Sequence, residues 1–370
     1  MAKCRHLYPG GNTCHGFYSF YDYMVSPQVE RKIVLKGGPG VGKSSFMKQL
    51  GEDFANAGID VEFHWCSSDN ESLDGVVIGR QQFCVLDGTA PHVVDPRFPG
   101  AVDEIINLGE FWNRAAIARH RSEVIKLSNN IARCFERAYF QLQEAGAAYL
   151  EWKSYYEEAC DTAAANRNIL ALTKDFIPAA SPPGIIRHLF AGAITPLGLV
   201  TRVESIIDAD YAIFAIKGNP GSGQKVLFNH CLHLLELYNY PAEVYHNPFK
   251  PDEIDIIVLP QNKLALLDIT SPFNYVERLP AAKFKRLLDF EQFSSDGVLE
   301  FNKIMLDQAK NRFNSRISDA VSFINMAKEY HDELESYYIP AMDFESINLT
   351  RQAIFEELMQ GLSNHHLRRS

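Results

Sequence analysis

No apolar run in this chain approaches the roughly 20 residues that a membrane-spanning helix needs, and the opening stretch MAKCRHLYPGG has no apolar core of the signal-peptide kind. Cationic charge is also short. Lys and Arg number 36 against 46 Asp and Glu, a net charge of −10, so no overall basic field recruits nucleic acid or an acidic membrane surface. Among the seven cysteines (Cys4, Cys14, Cys66, Cys84, Cys134, Cys160, Cys231) no pair has CxxC spacing. Neither a disulfide framework nor a zinc knuckle is indicated. Cys14–His15 and His64-x-Cys66 read as packing residues rather than metal ligands. The expectation is a cytoplasmic chain without nucleic-acid or membrane partners.

What is present is globular composition, 46% hydrophobic and 22% charged over 370 residues, enough for two domains. The chain is also written twice. RHLYPGGNTCHG (Arg5 to Gly16) returns as RHLFAGAITPLG (Arg187 to Gly198). KGGPGVGKSSF (Lys36 to Phe46) returns as KGNPGSGQKVL from Lys217, and FCVLDGTAPH from Phe83 returns as LALLDITSPF from Leu264. SYYEEACD from Ser154 answers to SYYIPAMD from Ser336. Four blocks in one order at nearly one offset imply a tandem duplication. The join falls near IPAASPPGII (Ile177 to Ile186), giving domains 1–178 and 185–370.

Each repeat reads as α/β. KIVLK (Lys32 to Lys36) is a strand, a helix begins at about Lys43, and VEFHWC, GVVI and FCVLD are further strands. Strands alternating with helices predict a mainly parallel sheet. After Ala101 the pattern turns to long helical stretches, a helical appendage to each core, with a counterpart from about Gly297 to Tyr338. The aromatic run NTCHGFYSFYDYM reads as half-buried strand, and the Arg5/His6 and Arg187/His188 pairs, present in both repeats, as structural.

The chemistry concentrates at GGPGVGKSS, which matches G-x-x-x-x-G-K-[ST] between a predicted strand and a predicted helix. Backbone amides of Gly37, Gly38, Pro39-Gly40, Val41 and Gly42 would converge on phosphate oxygens, helped by the helix N-terminus. Lys43 would reach the outer phosphates, Ser44 would bind Mg²⁺, and Ser45 would complete the cradle. Asp87, closing FCVLD, is placed either to hold Mg²⁺ or to cap the turn before Gly88-Thr89. Asp69 and Glu71 in CSSDNE, and His92, Asp95 and Arg97 in APHVVDPRF, are candidates for acid–base or phosphate-facing roles, against a plain reading as solvated loop charges. In the second repeat Lys43 becomes Gln224, Ser44 becomes Lys225, Asp69 becomes Lys250, His92 becomes Phe273 and Asp95 becomes Val276, whereas Asp87 persists as Asp268 and Arg97 as Arg278. That persistence weighs against a pure metal-ligand role for Asp87.

These blocks, GGNTCHGFYSFYDY, GGPGVGKSS and VLDGTAPHVVDP with RHLFAGAITPLG and GNPGSGQK, resemble a family of bacterial tandem P-loop ATP-binding proteins, nucleotide-kinase-like ATPases, over nearly the whole chain. The resemblance implies a P-loop NTPase fold with Mg-ATP bound at Lys43 and Ser44, and it brings no substrate. Three functions follow as alternatives. One is an ATPase or ATP-dependent regulator with one competent site and an intramolecular pseudo-dimer of repeats, Arg278 or Lys225 approaching the first site. Another is a kinase acting on an unidentified small-molecule acceptor held by His92 and Asp95. The third is a nucleotide-gated scaffold for a protein partner. The absence of an N-K-x-D run in the expected place favours ATP over GTP.

Overall fold

The six residues RKIVLK are apolar at three consecutive central positions, and in the computed structural model all three, Ile33, Val34 and Leu35, are buried. Such a run suits a strand covered on both faces. The structure describes residues 2–26, 28–79, 81–89, 93–178, 182–270, 272–273, 275–279 and 284–369, without the side chains of 363–369. In chain order the first repeat runs through β1 (Cys4–Leu7), β2 (Gly10–Thr13), β3 (Gly16–Ser19), β4 (Arg31–Lys36), α1 (Lys43–Asn56), β5 (Val61–Trp65), β6 (Leu73–Ile78), β7 (Phe83–Asp87) and β8 (Asp103–Asn107). It then turns helical, with α2 (Arg114–Ala118), α3 (Arg121–Ala159) and α4 (Thr162–Phe176). The second repeat follows the same plan. It comprises β9 (Ile186–Phe190), β10 (Gly192–Thr195), β11 (Gly198–Thr201), β12 (Ala212–Lys217), α5 (Gln224–Leu237), β13 (Ala242–His246), β14 (Ile254–Leu259), β15 (Leu264–Asp268), β16 (Phe284–Asp289), α6 (Asp296–Tyr338) and α7 (Phe344–Arg369).

Each repeat builds a six-stranded sheet, β1-β5-β6-β7-β4-β8 and β16-β12-β15-β14-β13-β9, so the α/β class holds. Both sheets are mixed, mainly parallel as expected but with one strand reversed in each. β6 is antiparallel to β5 and β7, and β14 to β13 and β15. The reason is local. A parallel connection needs a crossover of a dozen or more residues, and only residues 79–82 join β6 to β7. Gly79 and Gln81, both at positive φ, turn the chain straight back there. The remaining pairings, β1 with β5, β7 with β4 and β4 with β8, are parallel. Strand β8 has no counterpart in the sequence reading. It lies at the sheet edge with one buried residue in five, a pattern too weak to stand out from the helical sequence around it.

The two compact units do not coincide with repeats 1–178 and 185–370. One unit comprises residues 1–9, 21–135 and 324–370, the other 10–20 and 136–323. Chain passes between them within α3 and within α6. In the first unit, α7 of the second repeat packs on α1 of the first, and its Ile347, Ile354, Leu358 and Leu362 join the core formed by Ile33, Leu35, Phe46, Leu50, Phe54 and Val76. In the second, α4 of the first repeat packs on α5 of the second, and Ile169, Leu172 and Phe176 join Phe214, Leu227 and Phe228. Each α/β core is therefore closed by helix from the other repeat. The aromatic run near the N-terminus forms the β2–β3 hairpin, which belongs to the second unit together with its counterpart β10–β11.

The Arg/His pairs are structural. Arg5 on β1 meets Glu62 on β5 at 3.0 Å, and Arg187 on β9 meets Glu243 on β13 at 3.4 Å. Beside the second pair, His188 Nδ1 and His246 Nε2 are 2.8 Å apart, and His246 Nδ1 lies 2.6 Å from the Pro251 carbonyl. A carbonyl only accepts, so His246 donates from Nδ1 and its Nε2 accepts from His188. Protonating His246 would set donor against donor.

Two outcomes are expected. A fragment of residues 1–178 lacks the four apolar side chains of α7, each contributing about 2 kcal/mol of burial; it fails to show a cooperative melt alone and regains one when mixed with 185–370. The second concerns pH. Burial, then His188, hold the His246 pKa down at about 4 against 6.5 for a free imidazole. Below about pH 6.5 the unfolded chain binds the extra proton, so stability falls as pH drops towards 4, by about 2 kcal/mol between pH 7 and pH 5. Urea midpoints should show this slope, and His246→Phe should flatten it.

Candidate functional site

Both glycine loops join a strand one in from the sheet edge to the helix that follows it, β4 to α1 and β12 to α5. Gly42 and Gly223, one residue before those helices, have φ of 86° and 100°. Only a residue without Cβ adopts this readily, and it turns the following amides inward. At the loop tips a helix from the other repeat comes so close that side chains have no room. A Cβ on Gly40 would lie 3.2 Å from the Glu335 carbonyl oxygen, and one on Gly221 would lie 2.2 Å from that of Lys153, the equivalent helical position.

In the first unit Lys43 curls over its own loop. Its Nζ donates to the carbonyls of Gly37 at 3.2 Å and Gly38 at 2.8 Å, and lies 3.6 Å from Asp87 Oδ2. The Ser44 hydroxyl accepts from the Leu73 amide at 3.0 Å. Lys43, Ser44 and Asp87 are thus brought together, with Gly37, Gly38, Pro39, Gly40, Val41 and Gly42 in one turn around them. Ser45 is exposed on the helix. Asp87 also caps a turn, its Oδ1 accepting from the amide and hydroxyl of Thr89 at 2.8 and 2.5 Å. The turn-cap reading of this residue is borne out at Oδ1, while Oδ2 faces Lys43.

The remaining candidates are not assembled around Lys43 in this way. Asp69 shapes its own loop, accepting from the Glu71 amide and the Ser72 hydroxyl, and pairs with Lys328 of α6 at 3.7 Å. Glu71 is exposed. Asp95 is exposed and 3.3 Å from Lys36, whose ammonium also donates to the Gly88 and Val94 carbonyls. Arg97 stacks over Phe98 while its amide donates to Asp103. His92 lies outside the described residues.

Four residues of this unit carry no mark in the sequence reading, three of them at the loop. Glu335 of α6 accepts from the Gly40 amide at 3.0 Å. Tyr338 and Trp112, with ring centroids 6.2 Å apart, lie against Gly38. Asp74, on β6, is 4% exposed in an otherwise apolar strand. Burial of the Tyr21 hydroxyl and the Cys66 thiol, and then the charge of Asp74 beside them, hold both pKa values well above the usual range. A signal for Asp74 existed: LDGVVI and IDIIVL, at equivalent places in the two repeats, each carry an aspartate within a buried strand.

In the second unit each position is filled differently. Gln224 Nε2 donates to the carbonyls of Gly218 at 2.6 Å and Asn219 at 2.8 Å, reproducing the bonds of Lys43 without its charge. Lys225 reaches inward, its Nζ donating to Asp255 Oδ1 at 2.7 Å, Asp268 Oδ2 at 2.9 Å and the Ile254 carbonyl at 3.0 Å. Burial opposes this charge, but the attraction of Asp255 and then Asp268 outweighs it and raises the lysine pKa. Burial pushes Asp268 up and Lys225 pulls it back. Asn247 and Tyr275 donate to Asp255 as well, and Asp268 caps the same threonine turn as Asp87, at Thr270. Two surface cavities, of about 220 and 600 Å³, lie near Arg5 and Asp60 and near Arg31 and Pro99, and neither is lined by the glycine loops. No family model, curated protein or solved structure matches the chain.

Removing one partner of a buried pair leaves the other charge uncompensated. Lys225→Gln, which leaves Asp255 and Asp268 together without the ammonium between them, should therefore lower unfolding free energy by about 3 kcal/mol, and Asp87→Asn by about 1 kcal/mol or less, compared by urea denaturation.

Proposed function

We propose that the chain binds Mg-ATP at the first glycine loop and acts as an ATPase or ATP-dependent regulator, with one competent site per chain. The observation that carries this reading is the contrast between two loops of the same shape. The first keeps a lysine at the loop carbonyls and a serine at the helix start, 3.6 Å separating that lysine from a strand-end carboxylate. The second has replaced both chemical groups, Lys43 by Gln224 and Ser44 by Lys225, while keeping the backbone turn. Loop amides and a helix N-terminus suit a polyphosphate, Lys43 its outer charge, and Ser44 and Asp87 a bound Mg²⁺.

Regulation is favoured over transfer to a metabolite because Asp69 is committed to its turn and to Lys328. The loop is instead covered by the end of α6. Glu335 places a carboxylate on the Gly40 amide, the kind of anion contact a phosphate would make, so nucleotide and this turn of α6 compete for the loop. Binding then shifts α6, and the coupling follows from the differential contact.

Calorimetric titration of Mg-ATP should give one site per chain, absent in Lys43→Ala, and Glu335→Gln should tighten binding about tenfold by weakening the competing charged contact. Two sites, or a site that survives Lys43→Ala, would overturn the proposal.

A further inference from the structure

Four positions of the two units correspond one to one at a single offset: Ser44 and Lys225, Leu73 and Ile254, Asp74 and Asp255, Asp87 and Asp268. In the second unit they surround a cation. The Lys225 ammonium sits between two carboxylates on neighbouring strands, 2.7 Å from one and 2.9 Å from the other, with the Ile254 carbonyl as a third oxygen. In the first unit the same two strands present the same two carboxylates, and the helix position facing them is the short hydroxyl of Ser44, anchored at Leu73.

We infer that the two units share one cation position: Lys225 fills it from within the second unit, and a divalent cation fills it in the first, with Asp74 as a ligand beside Asp87 and Ser44. Two carboxylates and a hydroxyl are hard oxygen donors, the set that suits Mg²⁺ or Mn²⁺ rather than zinc or copper. At this helix position a serine in place of the lysine removes one positive charge and most of an aliphatic stem, while Lys43 faces Asp87 from the loop side at 3.6 Å. Asp74 lies on the antiparallel strand that the glycine-loop motif does not include, so the loop sequence alone assigns it nothing. The tethered charge also makes the second unit independent of metal: its cation cannot be chelated away. For the first unit the inference deepens the nucleotide reading above, but it concerns the metal alone and is tested without nucleotide.

The probe is Mn²⁺ added to the full chain, with bound ion counted by electron paramagnetic resonance. The wild type should take one Mn²⁺ per chain, weakened at least about tenfold by Asp74→Asn. Lys225→Ser should take a second, lost again in Lys225→Ser/Asp255→Asn. Mn²⁺ binding unchanged by Asp74→Asn would overturn the first half of the inference, and a folded Lys225→Ser with the wild-type count would overturn the second. Should Lys225→Ser melt early, recovery of its melting temperature by Mn²⁺ supports the shared position, and no recovery overturns it. A Mn²⁺ site that holds in a chain failing the ATP titration would separate this inference from the nucleotide reading.

Discussion

The sheets of this protein are short of helices. The tight turns on either side of β6 and β14 reverse the chain within a few residues, so these strands run antiparallel and no crossover helix accompanies them. One helix between strands, α1 or α5, remains to cover the face behind the glycine loop. An apolar sheet face needs a second layer, and each repeat takes that layer from the other: α7 closes on α1, and α4 on α5. The chain passes from one unit to the other within α3 and within α6.

The same exchange determines what lies over each loop. Because the covering helix arrives at equivalent places, its side chains at equivalent positions face equivalent glycines, Glu335 at Gly40 and Lys153 at Gly221. The substitution from one repeat to the other is a reversal of charge. An acid set on a loop amide occupies the kind of place a phosphate takes, whereas Lys153 turns its charge to Glu253 and Glu157. The two loops and the helix residues over them thus differ together, Gly40 with Glu335 and Gly221 with Lys153.

The persistence of Asp87 as Asp268 counts against a metal role when only the sequence is in view. The geometry supplies another cause: Asp268 is needed for Lys225, and its turn with Thr270 is needed in both units. A residue retained in a copy that has lost its loop lysine need not be merely structural, since the group it serves can be replaced by a side chain. Asp74 and Asp255 follow the same logic. They are legible as an oddity, an aspartate inside a buried strand, but that oddity has no meaning until Lys225 is seen between two such carboxylates. Strand β8 and the contact of Glu335 with the Gly40 amide were not legible at all, the first for want of buried residues, the second because no local pattern marks a contact between elements so far apart in the chain.

Repetition, strand and helix order, the loop turns, and the loss of Lys43 and Ser44 chemistry in the second copy were determined by the sequence itself, because each rests on local spacing and on residue types within a few positions. Which helix closes which core was decided only in the tertiary structure. α7 places Ile347, Ile354, Leu358 and Leu362 in one core, and α4 places Ile169, Leu172 and Phe176 in the other. The elements in contact, α7 with α1 and α4 with α5, lie far apart in the chain, and no window of sequence contains both sides of that contact.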